Sequence, residues 1–83
     1  MSQPAISWAK EARQDYLAGR LLLTGRFAPA DLVDHFRIGM PEASEDIRRF
    51  HASNPGAVAY DLPAKAYLAT AAWRFPPSLA LAL

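Results

Sequence analysis

The sequence predicts a small, mainly α-helical domain in which three helices are followed by a β-hairpin. Three features predict it: apolar residues recur at helical spacing between prolines and glycines, two short helices are joined by about three residues, and two short strand-like runs follow them. A chain of 83 residues that is 52% hydrophobic fits one domain with a modest core.

The composition excludes a strongly basic protein of the histone or ribosomal type and a disulfide-bonded fold. Nine Lys and Arg against eight Asp and Glu give a net charge of +1, so a nucleic-acid surface must come from local clustering. Without cysteine there is neither a disulfide framework nor a cysteine-ligated zinc, which suits the cytoplasm. The start of the sequence does not resemble a signal peptide, and the apolar runs are far shorter than the roughly 20 residues of a membrane span.

The first helix is predicted over Trp8–Thr24, with Ser7 as its N-cap and Gly25 as its C-terminal stop. One narrow apolar stripe should face the core, formed by Trp8, Ala12, Tyr16, Gly19 and Leu23. Leu17 and Leu21 lie on the opposite side among charged residues, so something else is expected to cover them.

A second helix is predicted from near Ala28, with Pro29 in its first turn and Asp31 close to the positive end of its dipole. A third follows over residues 40–53, with Glu42 at the capping-box position. Its core positions by helical angle are Met40, Ala43, Ile47 and Phe50. Its polar, exposed face consists of Pro41, Glu42, Ser44, Glu45, Arg48 and Arg49.

The hairpin is predicted over residues 57–68, with Asp61–Ala64 as its turn. We therefore assign residues 1–70 to one domain and residues 71–83 to a C-terminal tail or the start of a linker to a further domain.

Three helices and a hairpin describe a winged helix-turn-helix. The sequence contains the motifs Gly25-Arg26-Phe27, Ala30-Asp31-Leu32, Phe36, Ile38, Pro41, Ala43-Ser44, Asp46, Asn54-Pro55-Gly56, Tyr60-Asp61 and Ala64-Lys65-Ala66-Tyr67. With these motifs it resembles the N-terminal winged helix of WYL-domain bacterial transcriptional regulators, and the resemblance covers roughly residues 16–68. It implies sequence-specific binding to a pseudo-palindromic operator as a homodimer, usually in repression, under a C-terminal ligand-sensing domain.

The sequence departs from the family pattern at two places. Arg37 and Gly39 stand where the family commonly has a glycine ending the second helix and a serine or threonine capping the third. Glu42 stands where glutamine is frequent, and Glu45 adds a second carboxylate to the same face. Carboxylates on this face repel phosphates, so they favour an alternative function, a winged-helix protein interaction or dimerisation module that has lost DNA binding.

The N-terminal residues of a helix in the major groove read base edges. Ser44 and Glu42 are therefore predicted base readers, and Glu42 can accept a hydrogen bond from the cytosine amino group. Glu45 lies four residues before Arg49 and is expected to pair with it.

Four basic residues are candidates for contacts to DNA. Arg48 and Arg49 suit guanine or phosphate, with phosphate as the expected contact, and the alternative is that they merely complement the helix dipole. Lys65 after the hairpin turn and Arg26 before the second helix are candidates for phosphate contacts, with solvated surface charge as the alternative.

The unexplained leucines suggest a dimer. We expect Leu17 and Leu21 to pair with the tail residues Leu79, Leu81 and Leu83 across a two-fold axis, or the tail to cap its own domain.

Enzymatic activity is not expected. The two histidines, His35 and His51, lack metal-ligand spacing, and no glycine-rich phosphate loop is present. Asp31 and Asp34 share a helix surface without a cleft, which suits dipole and surface roles. We expect no metal and no cofactor.

Overall fold

The computed structural model describes residues 4–74, which form three helices and three short strands. In chain order these are α1 (Pro4–Thr24), β1 (Arg26–Phe27), α2 (Pro29–Phe36), α3 (Met40–Ser53), β2 (Val58–Asp61) and β3 (Ala66–Ala69). The predicted helices and hairpin are confirmed, while β1, only two residues long, was not predicted. No helix between residues 4 and 74 combines the length and the apolar character needed to cross a membrane.

Helix α1 begins earlier than predicted and ends as predicted. It starts at Pro4, so Ser7 lies inside the helix and is not its N-cap. Gly25 follows with φ of 79°, and its N–H donates to the carbonyl oxygens of Arg20 and Leu21 at 3.2 and 3.0 Å. Glycine adopts this left-handed conformation without steric cost, which explains the position of the helix end.

The fully buried face of α1 is opposite to the predicted one, although Tyr16 of the predicted stripe is partly buried and packs against the core. Leu17 and Leu21 are 0% and 4% exposed, whereas Trp8 and Leu23 are 72% and 79% exposed. The prediction that Leu17 and Leu21 form a dimer interface is therefore wrong, because both lie in the core of the domain itself. Their proposed partners Leu79, Leu81 and Leu83 lie outside the described residues.

The polar neighbours of these leucines explain the error. Arg13 and Gln14 hydrogen-bond to Asp46 of α3, and Arg20 forms an ion pair with Asp31 of α2 at 3.4 Å. The polar side chains near Leu17 therefore bind other helices, although their composition suggests contact with solvent.

Helix α2 begins where its sequence predicts, and Asp31 caps it. Ala28 is the N-cap in an extended conformation, Pro29 follows it, and the carboxylate of Asp31 accepts a 2.8 Å hydrogen bond from the N–H of Ala28. At the other end Arg37 is left-handed, with φ of 57°, and donates its N–H to the carbonyl of Val33 at 2.9 Å. Three residues thus connect α2 to α3, which has Gly39 as its N-cap.

The three strands form an antiparallel sheet in the order β1-β3-β2. Phe27, Tyr67 and Tyr60 are paired across it and so share one face. The hairpin strands begin and end one residue later than predicted. The turn closes through a 3.1 Å hydrogen bond from the N–H of Lys65 to the carbonyl of Leu62, and Lys65 has φ of 54°.

The core lies where α1, α2, α3 and the sheet meet. Phe27 and Phe50 are fully buried and pack edge to face, with ring centroids 5.3 Å apart. Beyond β3, the ring of Trp73 packs on Phe50 at 5.6 Å. Ala43, Ile47 and Phe50 occupy the predicted core positions of α3. Met40 does not: it is 52% exposed, and it is the first residue of α3, next to the exposed Gly39.

Candidate nucleic-acid interface

Helix α3 presents one exposed stripe opposite its buried face. Pro41, Ser44, Glu45 and Arg48 are all exposed, and their spacing places them on one side of the helix. The structure therefore brings together four of the residues predicted from the sequence to contact DNA. Which of them contact bases stays a prediction.

A buried ion cluster fixes this helix against α1. Asp46 is 0% exposed, and its Oδ2 accepts from Nε of Arg13 at 2.5 Å. Its Oδ1 accepts from Nη2 of Arg49. Nε2 of Gln14 donates to the backbone carbonyl of Asp46 at 2.8 Å. A buried carboxylate is tolerated only when it is paired and hydrogen-bonded in this way, so the cluster sets the position of α3.

Glu42 takes part in the same cluster. Its Oε2 lies 2.6 Å from Nη2 of Arg13, while its side chain is 44% exposed. The carboxylate that the sequence places at the capping-box position is thus bound by α1. A contact from Glu42 to cytosine requires this carboxylate to keep or exchange the bond to Arg13.

The ion pairs within α3 differ from the prediction. Glu45 pairs with Arg48 through Oε1 and Nη1 at 2.5 Å, whereas Arg49 binds Asp46. The expected pairing of Glu45 with Arg49 is therefore wrong. The physical reason is that Asp46, buried and acceptor-rich, attracts the arginine one turn further on, which leaves Arg48 to Glu45.

An open groove lies between α3, the start of α2 and the sheet. It is lined by Pro29, Ser44, Ile47, Arg48, His51 and Tyr67. His51 and Tyr67 were not predicted as interface residues, although Ser44, Ile47, Arg48 and His51 follow one another at helical spacing. The rings of His51 and Tyr67 lie 5.4 Å apart.

Arg26 and Lys65 meet at a second groove. They line it together with the ion pair of Arg20 and Asp31 and with residues near the hairpin turn. The two grooves are lined by neighbouring residues of the chain, because Ala28 and Ala66 line the second groove while Pro29 and Tyr67 line the first. Two predicted phosphate-binding residues, distant in sequence, are thus brought together near the start of α2.

The basic residues fall into two groups. Arg13, Arg20, Arg48 and Arg49 each pair with a carboxylate. The exposed Arg26, Arg37 and Lys65 form no ion pair with any residue of the described chain. The same holds for Lys10 on α1 and for Arg74 after β3. Arg26, Arg37 and Lys65 are therefore free to bind an external anion. Arg37, in the turn between α2 and α3, was not predicted to contact DNA, because the sequence showed it only as a residue standing where the family commonly has glycine.

Helices α2 and α3 with their three-residue turn, followed by the β2–β3 hairpin, define a winged helix-turn-helix domain. The chain belongs to the family of winged helix-turn-helix domains of BrxR transcriptional regulators, whose family model matches residues 10–80. The resemblance to winged helices of bacterial transcriptional regulators is thereby confirmed.

Curated relatives share this region. The chain is 33% identical over 73 residues to the DNA-binding transcriptional repressor CapW of Pseudomonas aeruginosa. The aligned region covers 86% of the chain and 24% of the relative. The chain is 30% identical over 63 residues to the protein of the same name from Escherichia coli strain KTE188, with 76% and 21% covered. The chain thus spans about a quarter or less of the length of these relatives.

Proposed function

We propose that this domain binds double-stranded DNA sequence-specifically and acts in repression as part of a transcriptional regulator. The observation that carries the proposal is the exposed stripe of α3, with Ser44 and Arg48 lining a groove beside the sheet. The family supports a role in regulation, and the CapW relatives, which are DNA-binding transcriptional repressors by name, support DNA binding and repression.

The residues divide by role. Ser44 and Arg48 read base edges in the major groove from the exposed face of α3, where Pro41 and Glu45 flank them. Arg26 and Lys65 bind phosphates, which sets the register of α3. Arg49 is held by Asp46 and supports the position of the helix in addition to any phosphate contact.

The assembly is the second part of the proposal. We propose a homodimer on a pseudo-palindromic site, with half-sites about one helical turn of DNA apart. The resemblance to WYL-domain regulators supports it. A regulator of transcription acts on the bacterial chromosome, so we place it in the cytoplasm, at the nucleoid, and assign it no enzymatic role.

Selection from a random duplex pool tests the DNA-binding proposal. Fluorescence anisotropy at low and moderate salt, followed by sequencing of retained duplexes, should enrich a symmetric motif. The S44A/R48A variant should lose the enrichment while keeping affinity for random duplex within about tenfold, since phosphate contacts remain. The matched control is Lys10→Ala, which removes an exposed charge from α1. No binding at low salt by the folded protein would contradict the proposal.

A protein interaction module is the second candidate. The observation that favours it is the exposed apolar surface of α1, where Trp8, Leu22 and Leu23 are 72%, 46% and 79% exposed. This candidate would be supported if the folded domain binds no duplex and its sedimentation coefficient falls when Trp8 and Leu23 are replaced by serine.

A further inference from the structure

The two carboxylates on α3 are neutralised by different arginines. Glu42 is bound by Arg13, which is 9% exposed at its side chain and also holds the buried Asp46. Glu45 is bound by Arg48, which is 71% exposed and belongs to the stripe that faces DNA. The first ion pair is anchored in the core, whereas the second can open when a ligand arrives.

We propose that Glu45 determines specificity by acting through Arg48, so that it suppresses binding to DNA of arbitrary sequence. The inference rests on the proposed function, because it concerns how the same helix face selects DNA. Glu45 is a positioning residue here, and Arg48 makes the contact.

The geometry of the guanidinium gives the reason. Arg48 bonds to Glu45 through Nη1 and Oε1, and a guanidinium has five N–H donors in a planar fork. The donors outside that bond can reach O6 and N7 of a guanine, which carry only partial charges, while Glu45 stays bound. A phosphate is an anion, so its approach either breaks the bond to Glu45 or places two anions on one arginine.

Neighbouring arginines do not offer the same selectivity. Arg49 is tied to Asp46, a fully buried residue, so its partner is not displaced at the surface. Arg26 and Lys65 form no ion pair within the described chain and bind phosphates regardless of sequence. Discrimination between base edge and phosphate therefore falls on the Glu45–Arg48 pair.

The test compares Glu45→Gln with wild type on two duplexes, a random-sequence pool and the duplex that wild type selects. We expect E45Q to bind the random pool about fivefold more tightly, with a salt slope larger by about one, and to change affinity for the selected duplex less than about twofold. The matched control Glu11→Gln removes the same charge from an exposed position of α1 and should change neither affinity.

A double variant separates action through Arg48 from simple repulsion by Glu45. In an Arg48→Ala background, E45Q should tighten binding to the random pool less than it does when Arg48 is present, since only the direct repulsion between Glu45 and phosphates is then removed. Equal tightening in both backgrounds would overturn the proposal, as would wild-type affinities in the single variant. Wild type is measured first on both duplexes, because a failure there contradicts the proposed function and not this inference alone.

Discussion

Asp46 on α3 and Arg13 on α1 form a buried ion pair across 33 positions of sequence, with Nε of Arg13 2.5 Å from Oδ2 of Asp46. The same arginine binds Glu42, and the same aspartate binds Arg49. The helix proposed to read DNA is thus fixed to the first helix by charge as well as by apolar packing.

Replacing Asp46 should therefore destabilise the whole domain. Asp46→Ala removes the buried carboxylate that binds Arg13 and Arg49 and leaves Arg13 only the partly exposed Glu42, so it should lower the free energy of unfolding by up to about 3–5 kcal/mol. Urea denaturation followed by circular dichroism measures the loss. Asp34→Ala, an exposed acidic residue on α2, is the control and should change stability by less than about 0.5 kcal/mol. Equal stabilities of the two variants would show that the cluster contributes little.

The sequence predicted the positions of the helices and strands better than it predicted which face of each helix is buried. Proline, glycine and the period of apolar residues located α2, α3 and the hairpin to within a residue or so, because these signals are local. The prediction of which face of α1 is buried was wrong, because Arg13, Gln14 and Arg20 count as polar residues when the periodicity of the helix is read from the sequence. Their partners Asp46 and Asp31 are distant in sequence, and only the tertiary structure pairs them.

The candidate site shows the same division. The exposed stripe of α3 follows from helical angles alone, so Ser44 and Arg48 were found. Tyr67 and His51 were missed as members of the groove, because their proximity depends on how the sheet packs beside α3. The partner of Glu45 was also wrong, since the choice between Arg48 and Arg49 depends on the burial of Asp46.

A pair of leucines two residues apart tests which face of α1 is buried. Leu21→Ala should lower the free energy of unfolding by about 2–5 kcal/mol, because it leaves a cavity in the core. Leu23→Ala removes the same atoms from a side chain that is 79% exposed and should cost less than about 0.5 kcal/mol. Both are measured by urea denaturation at one protein concentration, and the reverse order would favour the core stripe of α1 that the sequence predicts.

Arg37 offers a stabilising substitution. A residue with a Cβ in the left-handed conformation is strained, and glycine is the usual residue at this position after a helix. Arg37→Gly should raise stability by about 1 kcal/mol, or the melting temperature by about 5 °C, whereas Arg37→Ala should bring no gain. Differential scanning calorimetry of both variants distinguishes relief of strain from the loss of charge, which they share.

The groove shared by Arg26 and Lys65 leads to a prediction about salt. If each binds one phosphate, Lys65→Ala and Arg26→Ala should each reduce the slope of log affinity against log salt by about one unit, because one fewer counterion is released. Sequence preference in the selected pool should not change, since phosphate contacts carry no base information. Alanine at position 65 keeps a Cβ at the same left-handed φ, so relief of backbone strain does not confuse the comparison. Lys10→Ala on α1 is the control for the loss of a positive charge elsewhere. If Lys65→Ala and Arg26→Ala change the salt slope no more than Lys10→Ala does, Arg26 and Lys65 do not contact DNA.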